Sequence, residues 1–354
     1  MRRKTGDSFA PASRRRAVTL ADVGEFGFLD ALLPTLAGSS AAVQVGVGDD
    51  CAVVAAPAGP LVLTTDTLVE DIHFRRDWLA ARQLGRRAFL VNASDVAAMG
   101  GRPLWALVSL CAPAAWPQRD LLELMAGIAA AAREAGAAVV GGNLSLAPNL
   151  SVAVSLVGTL ETAPLTRSGA RPGDRLFVSG ALGGAAWAVR ELLGGRRPGT
   201  RSRAMRAWAE PPARVGLGPA LAATGAVSAM IDLSDGFVQD LGHVLAASGV
   251  GAEIDVASLP VCAGLRLPRA ERLALAASGG EDYELLFAVR PGGAARVRRA
   301  CQRFGVPLTE VGVVVAGGEL RAREARWQTL LDAARGHDHF HGSTGRRRAA
   351  RSGG

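Results

Sequence analysis

The sequence predicts an α/β (α+β) fold built as two consecutive blocks. Three observations carry that prediction. Short runs rich in Val, Ile, Leu and Ala alternate with longer stretches of helical periodicity from residue 21 to residue 340, the signature of interleaved strands and helices. A cluster of breakers, Pro164, Gly169, Pro172 and Gly173, interrupts the run near its middle. The chain has 354 residues, 49% apolar and 20% charged, which is enough for packed cores and unlike a disordered composition.

In the first block (residues 21–163), the apolar spacing of 23–36 predicts a helix. Valine- and leucine-rich runs at 43–47, 52–55 and 61–65 predict strands. Leu84, Ala88, Val91 and Val96 recur at helical intervals within 79–99, predicting a long helix. A strand at 104–111, a helix at 120–135 and strands at 137–140 and 150–160 complete the block. The second block (164–340) opens with a strand at 175–179 and a helix at 183–193. Residues 194–203, rich in Gly and Arg, predict a loop. Helices at 213–223, 237–247 and 294–304 and strands at 227–231, 252–254, 284–289 and 308–315 follow, with a further helix before the strand at 284. Residues 1–20 and 341–354 lack apolar periodicity and are expected to be disordered basic extensions.

Composition excludes several chemistries. Of 40 basic residues only Lys4 is a lysine. The chain therefore has no Gly-Lys-Ser/Thr phosphate loop, no strand lysine of the protein-kinase kind and no lysine placed for a Schiff base. Phosphate must be held by arginine, backbone N–H groups or metal ions. Cys51, Cys111, Cys262 and Cys301 are scattered, without zinc spacing, and free thiols suit a reducing cytoplasm. No apolar stretch reaches the roughly 18 residues of a membrane span. The basic start Met1-Arg2-Arg3-Lys4 leads into a polar segment rather than a signal-peptide core. A cytoplasmic protein is expected.

The strongest chemical signal is the placing of the aspartates. Gly48-Asp49-Asp50 follows one predicted strand, and Thr64-Thr65-Asp66 ends another. Asp95 stands in an apolar helical stretch, between Leu90-Val91 and Val96-Ala97-Ala98-Met99. Asp232-Leu233-Ser234-Asp235-Gly236 follows a strand, and Gly279-Gly280-Glu281-Asp282 precedes one. Singly, each reads as a turn or helix cap. Together they put carboxylates at strand ends, where α/β sheets form ligand crevices, and inside an apolar helix, where an unpaired charge is costly. Carboxylates and threonine hydroxyls are hard oxygen donors, suited to Mg²⁺ shared with phosphates. Gly141-Gly142 and Gly183-Gly184 are expected to allow close backbone approach to phosphate.

The motifs resemble those of the thiamine-monophosphate kinases. Gly46 to Ala52, Thr64 to Phe74, Asn92 to Gly100, Leu165 to Ala170, Ile231 to Gly236, Ser278 to Leu285 and Asp338-His339-Phe340 correspond in order over about residues 21–340. The resemblance implies an AIR synthetase-like fold, with two α/β domains per chain and N-terminal strands that form a β-barrel shared across a homodimer. It implies ATP-dependent transfer of the γ-phosphoryl group to thiamine monophosphate, giving thiamine diphosphate. Carried over by position, it makes Asp50, Thr64, Thr65, Asp66, Asp95, Asn143, Asp232 and Asp235 ligands for several Mg²⁺ ions. Gly142, Asn143, Arg167 and Ser234 would bind ATP, and His73, Glu281 and His337 the thiamine phosphate. No residue is expected to act as a general base, because the attacking phosphate oxygen is already ionised.

Two positions depart from the family pattern. Asn143 stands where the family usually has a metal-binding aspartate, which predicts weaker Mg²⁺ binding there rather than loss of activity. His337 stands where an aromatic residue is common. An aminoimidazole ribonucleotide synthetase-like enzyme is the alternative within the superfamily. Selenophosphate synthetase needs an N-terminal Cys or Sec and the hydrogenase-maturation relatives a C-terminal Cys, and neither is present. The net charge of +8 raises the alternatives of a nucleic-acid-associated or non-catalytic binding protein. However, residues 1–16 and 341–354 together carry +9, which leaves the body at −1, so no specific nucleic-acid partner is expected. Because the resemblance starts near Ala21, a start codon assigned too far upstream is an alternative account of residues 1–16.

Overall fold

A computed structural model describes residues 17–36, 42–47, 49–199 and 202–334. The elements of the first half are α1 (Leu20–Leu36), β1 (Val43–Val45), β2 (Val53–Val54), β3 (Leu61–Val69), α2 (Ala81–Ala98), β4 (Arg102–Ala112), α3 (Gln118–Glu134), β5 (Ala138–Leu146) and β6 (Ser151–Thr159). β1 and β2 form a small antiparallel pair, and the main sheet has the order β3-β6-β4-β5. Its β3–β6 and β4–β6 pairings are antiparallel and its β4–β5 pairing is parallel.

Alternation decides which face of this sheet is covered. Val62 and Leu68 of β3, Val108 of β4 and Val154 of β6 face a core with Phe89 of α2 and Leu121 and Ile128 of α3. The opposite face exposes Leu61, Leu63 and Leu107, which are 48%, 72% and 46% accessible. α2 and α3 approach closely through two glycines. A Cβ at Gly85 would lie 1.8 Å from the Leu124 carbonyl oxygen, and one at Gly127 would lie 2.1 Å from that of Arg82.

The second half comprises β7 (Arg175–Ser179), α4 (Gly184–Leu193), α5 (Arg203–Ala209), α6 (Leu217–Ala223), β8 (Val227–Asp232), α7 (Phe237–Ser248), β9 (Gly251–Ile254), α8 (Arg269–Ser278), β10 (Leu285–Val289), α9 (Ala294–Arg303), β11 (Leu308–Val315), β12 (Leu320–Ala322) and α10 (Gln328–Ala333). Its sheet has the order β12-β9-β11-β7-β10-β8. All pairings are antiparallel except β12–β9. Both faces are covered, so β10 is buried at every residue and reads in sequence as an unbroken apolar run. Val178, Ile231 and Leu286 pack on one side with Phe237 and Leu241 of α7. Phe177, Met230 and Phe287 pack on the other with Leu217 of α6 and Val297 of α9.

α2 joins the halves. Ala98 at its end is buried with Leu217 and Met230 of the second half. Among the described residues no helix is long and apolar enough to cross a membrane.

Several expectations are corrected. β3 runs on to Val69, so Thr64-Thr65-Asp66 lies mid-strand rather than at a strand end. β5 runs on to Leu146, so Gly141-Gly142-Asn143 lies within a strand rather than after one. The region read as one helix over 213–223 begins its helix only at Leu217, and the short helix α5 precedes it. Ser202 caps α5, its hydroxyl oxygen accepting the Met205 N–H at 3.1 Å. β12 and α10 were not expected. Of the expected tails, residues 1–16 and 341–354 lie outside the described residues.

Candidate active site between the two halves

Three of the carboxylates singled out by sequence, Asp66, Asp95 and Asp232, converge where α2 meets the second half. On α2, Ala88, Asn92 and Asp95 share the face turned to β3, as their spacing of four and three residues requires. The Asn92 side-chain carbonyl accepts the Asp66 N–H at 2.8 Å, and its amide donates to the Ala88 carbonyl at 2.9 Å. The Thr64 hydroxyl donates to Asp95 at 2.6 Å. An adjacent stripe, Arg87, Ser94 and Ala98, faces the second half. The Ser94 hydroxyl donates to Asp232, the last residue of β8, at 2.7 Å. Asn92 and Ser94 are fully buried.

The charge in this cluster is under stress. Burial, and next to it the Asp95 carboxylate, push Asp66 up to about 6. Asp66 keeps contact with solvent, but the walls around it remove much of its hydration. Burial raises Asp95 too, against the lowering effects of the Thr64 hydroxyl and Arg167. Asp232 is pushed up to about 7, first by burial and then by Asp95. Carboxylates crowded in this way are short of positive charge. Hard oxygen donors lacking a counter-charge fit divalent magnesium.

A second group adjoins it. Asp240, buried at the first turn of α7, accepts the N–H groups of Asp235 and Gly236 at 3.1 and 3.0 Å. Burial pushes it up to about 7. One ligand atom from each of Asp235, Asp240 and His243 lies within 4.8 Å of the others. The exposed Arg167, on the segment joining the halves, draws down both Asp95 and Asp240. The loop after β8 is tied to the one before β10: Glu281 N–H donates to the Ser234 carbonyl at 2.7 Å, and Tyr283 N–H to that of Leu233 at 2.8 Å.

Other predicted residues stand apart. Thr64 and Thr65 point to opposite faces of β3, and Thr65 meets Ser155 across the sheet at 3.1 Å, so their hydroxyls do not converge. Asp66, Val154, Val108 and Gly142 form one row across the sheet. Gly142 and Asn143 therefore lie three strand spacings from Asp66, roughly 14 Å, and a ligand touching both must span the sheet. The Asn143 amide donates to the Ser145 hydroxyl at 2.9 Å. Asp50 is exposed on the turn between β1 and β2. His73, just past β3, accepts the Val69 N–H through Nδ1 at 3.0 Å. His337 lies outside the described residues.

The glycine pairs serve packing. A Cβ at Gly142 would lie 2.0 Å from the Val108 carbonyl oxygen, so this glycine lets β5 lie close against β4. The N-terminus of α4, at Gly183-Gly184, is filled by the protein's own Asp282, which accepts the Gly183 N–H at 2.7 Å and the Ala185 N–H at 3.4 Å. Burial pushes Asp282 up to about 8 despite these donors.

Residues 48–160 match the family model of the AIR synthase related protein, N-terminal domain, and residues 171–324 that of its C-terminal domain. The thiamine-monophosphate kinase of Rhodopirellula baltica is 38% identical over 296 residues, covering 80% of this chain and 87% of its own. The chain belongs to the thiamine-monophosphate kinase family. Its fold agrees with that of the family member from Stenotrophomonas maltophilia, at TM-score 0.77 and 32% identity over 85% of this chain and 97% of that one. The structure of AaThiL complexed with AMPPCP and TMP has TM-score 0.66 at 32% identity, covering 86% of this chain and 95% of that one.

Sequence reasoning missed Asn92, Ser94 and Asp240, as well as Arg87 and Trp208, which hold Glu281. The signal for three of these was present. Arg87, Asn92 and Ser94 stand in the same apolar helix as Asp95, and the argument that singled out Asp95 applies to them equally.

Proposed function

We propose that this chain catalyses ATP-dependent phosphorylation of thiamine monophosphate to thiamine diphosphate. The observation that carries the reading is the gathering of Asp66, Asp95 and Asp232 from both halves at their junction, in a chain of this family. A terminal phosphate oxygen of thiamine monophosphate attacks the γ-phosphorus of ATP. The bond from that phosphorus to the β-phosphate bridging oxygen breaks, and ADP leaves. The nucleophile is already ionised, so the protein's task is to align two anions and offset their repulsion.

Asp66, Asp95 and Asp232, with Asp50, Asp235 and the Thr64 hydroxyl, are proposed to hold Mg²⁺, the Thr65 hydroxyl lying on the opposite face of β3; Asn143 is proposed to hold a separate ion that accompanies ATP across the sheet. Bound there, Mg²⁺ would supply the positive charge that this cluster of carboxylates lacks. Thr64, Asn92 and Ser94 fix the carboxylates against their mutual repulsion. Arg167 and Ser234 are proposed to contact ATP, together with Gly142 and Asn143 across the sheet. His73, Glu281 and His337 are proposed to contact thiamine monophosphate. A homodimer in which a second copy covers the face bearing Leu61, Leu63 and Leu107 is part of the same reading, supported by their exposure.

The test is incubation with ATP, Mg²⁺ and thiamine monophosphate, monitoring thiamine diphosphate. Turnover of neither this substrate nor an aminoimidazole precursor would end the enzyme reading. Asn143→Asp adds a carboxylate to β5. It should lower the Mg²⁺ concentration needed for half-maximal rate several-fold and leave kcat within about threefold. An unchanged Mg²⁺ dependence would remove this residue from the metal.

A further inference from the structure

Arg87 lies in α2 with none of its surface exposed. A buried guanidinium is costly unless its N–H groups and charge are answered. One terminal N–H₂ group donates to the carbonyl of Trp208 in α5, and the other to Oε1 of Glu281. Nε has no partner. The guanidinium also stands 5.3 Å from the Trp208 ring centre and 5.9 Å from that of Tyr283.

The second oxygen of Glu281 is answered separately. The Trp208 indole N–H donates to Oε2 at 3.0 Å. Each carboxylate oxygen thus has one donor, and the two donors come from different halves of the molecule. The backbone beneath is held as well. Glu281 has φ 71, a left-handed conformation that only special contexts impose on a non-glycine residue, and its N–H is tied to Ser234. Trp208 is itself fixed, fully buried and edge-on to Trp78 with ring centres 5.8 Å apart.

Arginine–carboxylate pairs are frequently bidentate, with both carboxylate oxygens against the arginine. Here the arginine donates once to the carboxylate and once to a backbone carbonyl. The Glu281 side chain keeps 29% of its surface accessible while Arg87 keeps none. Each oxygen retains acceptor capacity, and the side chain stays accessible enough for a ligand to use it.

We propose that Arg87 and Trp208 are positioning residues that hold the Glu281 carboxylate ready for thiamine monophosphate, whose amino group and cationic ring a fixed anion can receive. The inference rests on the reading of Glu281 as a substrate contact. Pre-orienting the carboxylate removes the entropy cost of ordering it on binding. The effect therefore belongs to the KM for thiamine monophosphate and not to that for ATP.

The test is steady-state kinetics of the full chain carrying Trp208→Phe, Arg87→Lys or Glu281→Gln, and of Trp208→Phe combined with Glu281→Gln. Trp208→Phe keeps an aromatic ring at the site and removes the donor together with part of the indole's volume, so its melting temperature is measured beside its kinetics to show that it is folded. It should raise the KM for thiamine monophosphate about tenfold, the scale of one hydrogen bond to a charged group, and leave the KM for ATP within twofold. Arg87→Lys, which keeps the charge, should raise it less than Glu281→Gln does. The double variant should be no worse than Glu281→Gln alone, because the donor acts through the carboxylate. Equal rises in both KM values, or a Trp208→Phe effect undiminished beside Glu281→Gln, would overturn the proposal while wild-type turnover stands. Absence of turnover by the wild type would overturn the functional reading and this inference together.

Discussion

Asp95→Asn is expected to lower kcat for thiamine diphosphate formation by about a thousandfold or more, the scale of removing a charge that organises a transition state, while the protein stays folded. The substitution keeps the shape of the side chain, and its amide oxygen can still accept the Thr64 hydroxyl now 2.6 Å away. What it removes is a negative charge. That charge raises Asp66 and Asp232 and is itself disfavoured by burial. In the absence of metal, the variant should therefore melt at the same temperature as the wild type or a few degrees higher. The two readouts move in opposite directions only if the carboxylate is kept for function. A structural aspartate would do the reverse, costing stability on replacement and sparing the rate. Thermal unfolding in EDTA, measured beside the rate with ATP and Mg²⁺, separates the two. Activity within tenfold of wild type would remove Asp95 from the centre of the site.

Much of this site was legible because charge inside an apolar pattern is conspicuous. Asp95 announced itself by its neighbours on α2, and Asp232 by closing a strand. Alternation along β3 also held the information that Thr64 and Thr65 face opposite ways, although the motif made them look like a pair. Other features depend on partners distant in sequence. The separation of Asn143 from Asp66 follows from the strand order β3-β6-β4-β5, which no local pattern encodes. The Arg87–Glu281 pair spans 194 positions. The glycines of Gly183-Gly184 looked ready for a phosphate because nothing local shows that Asp282, about a hundred residues later, already occupies that helix end.

The same crowding of carboxylates dictates how stability responds to pH and metal. Asp66, Asp232, Asp240 and Asp282 stand at about 6, 7, 7 and 8 in the fold, against an ordinary 3.8. Between about pH 4 and these values the folded chain holds protons that the unfolded chain has released. Stability therefore falls as pH rises across this window, by about 1.4 kcal/mol per pH unit for each proton of difference at the buried Asp232, Asp240 and Asp282, and by less at the exposed Asp66, where solvent screens the charge. The contribution is fully present below the unfolded value and lost as pH climbs through 6 to 8. Metal-free protein in EDTA should accordingly melt at a higher temperature at pH 6 than at pH 8. Magnesium acts in the opposite sense. It binds the ionised carboxylates, competes with their protons and should add more stability at pH 8 than at pH 6. Melting curves at pH 6, 7 and 8, with EDTA and with saturating Mg²⁺, should show a falling line in EDTA that Mg²⁺ flattens. Asp240 and Asp282 lie outside the proposed metal ligands, so their share of the slope should persist in Mg²⁺. Asp282→Asn should reduce that remaining slope without changing how much Mg²⁺ flattens the rest. A melting temperature in EDTA that rises from pH 6 to pH 8 would show that burial does not hold these carboxylates protonated. The folded chain would then carry the ionised carboxylates without strain, and a metal would have no cost to relieve.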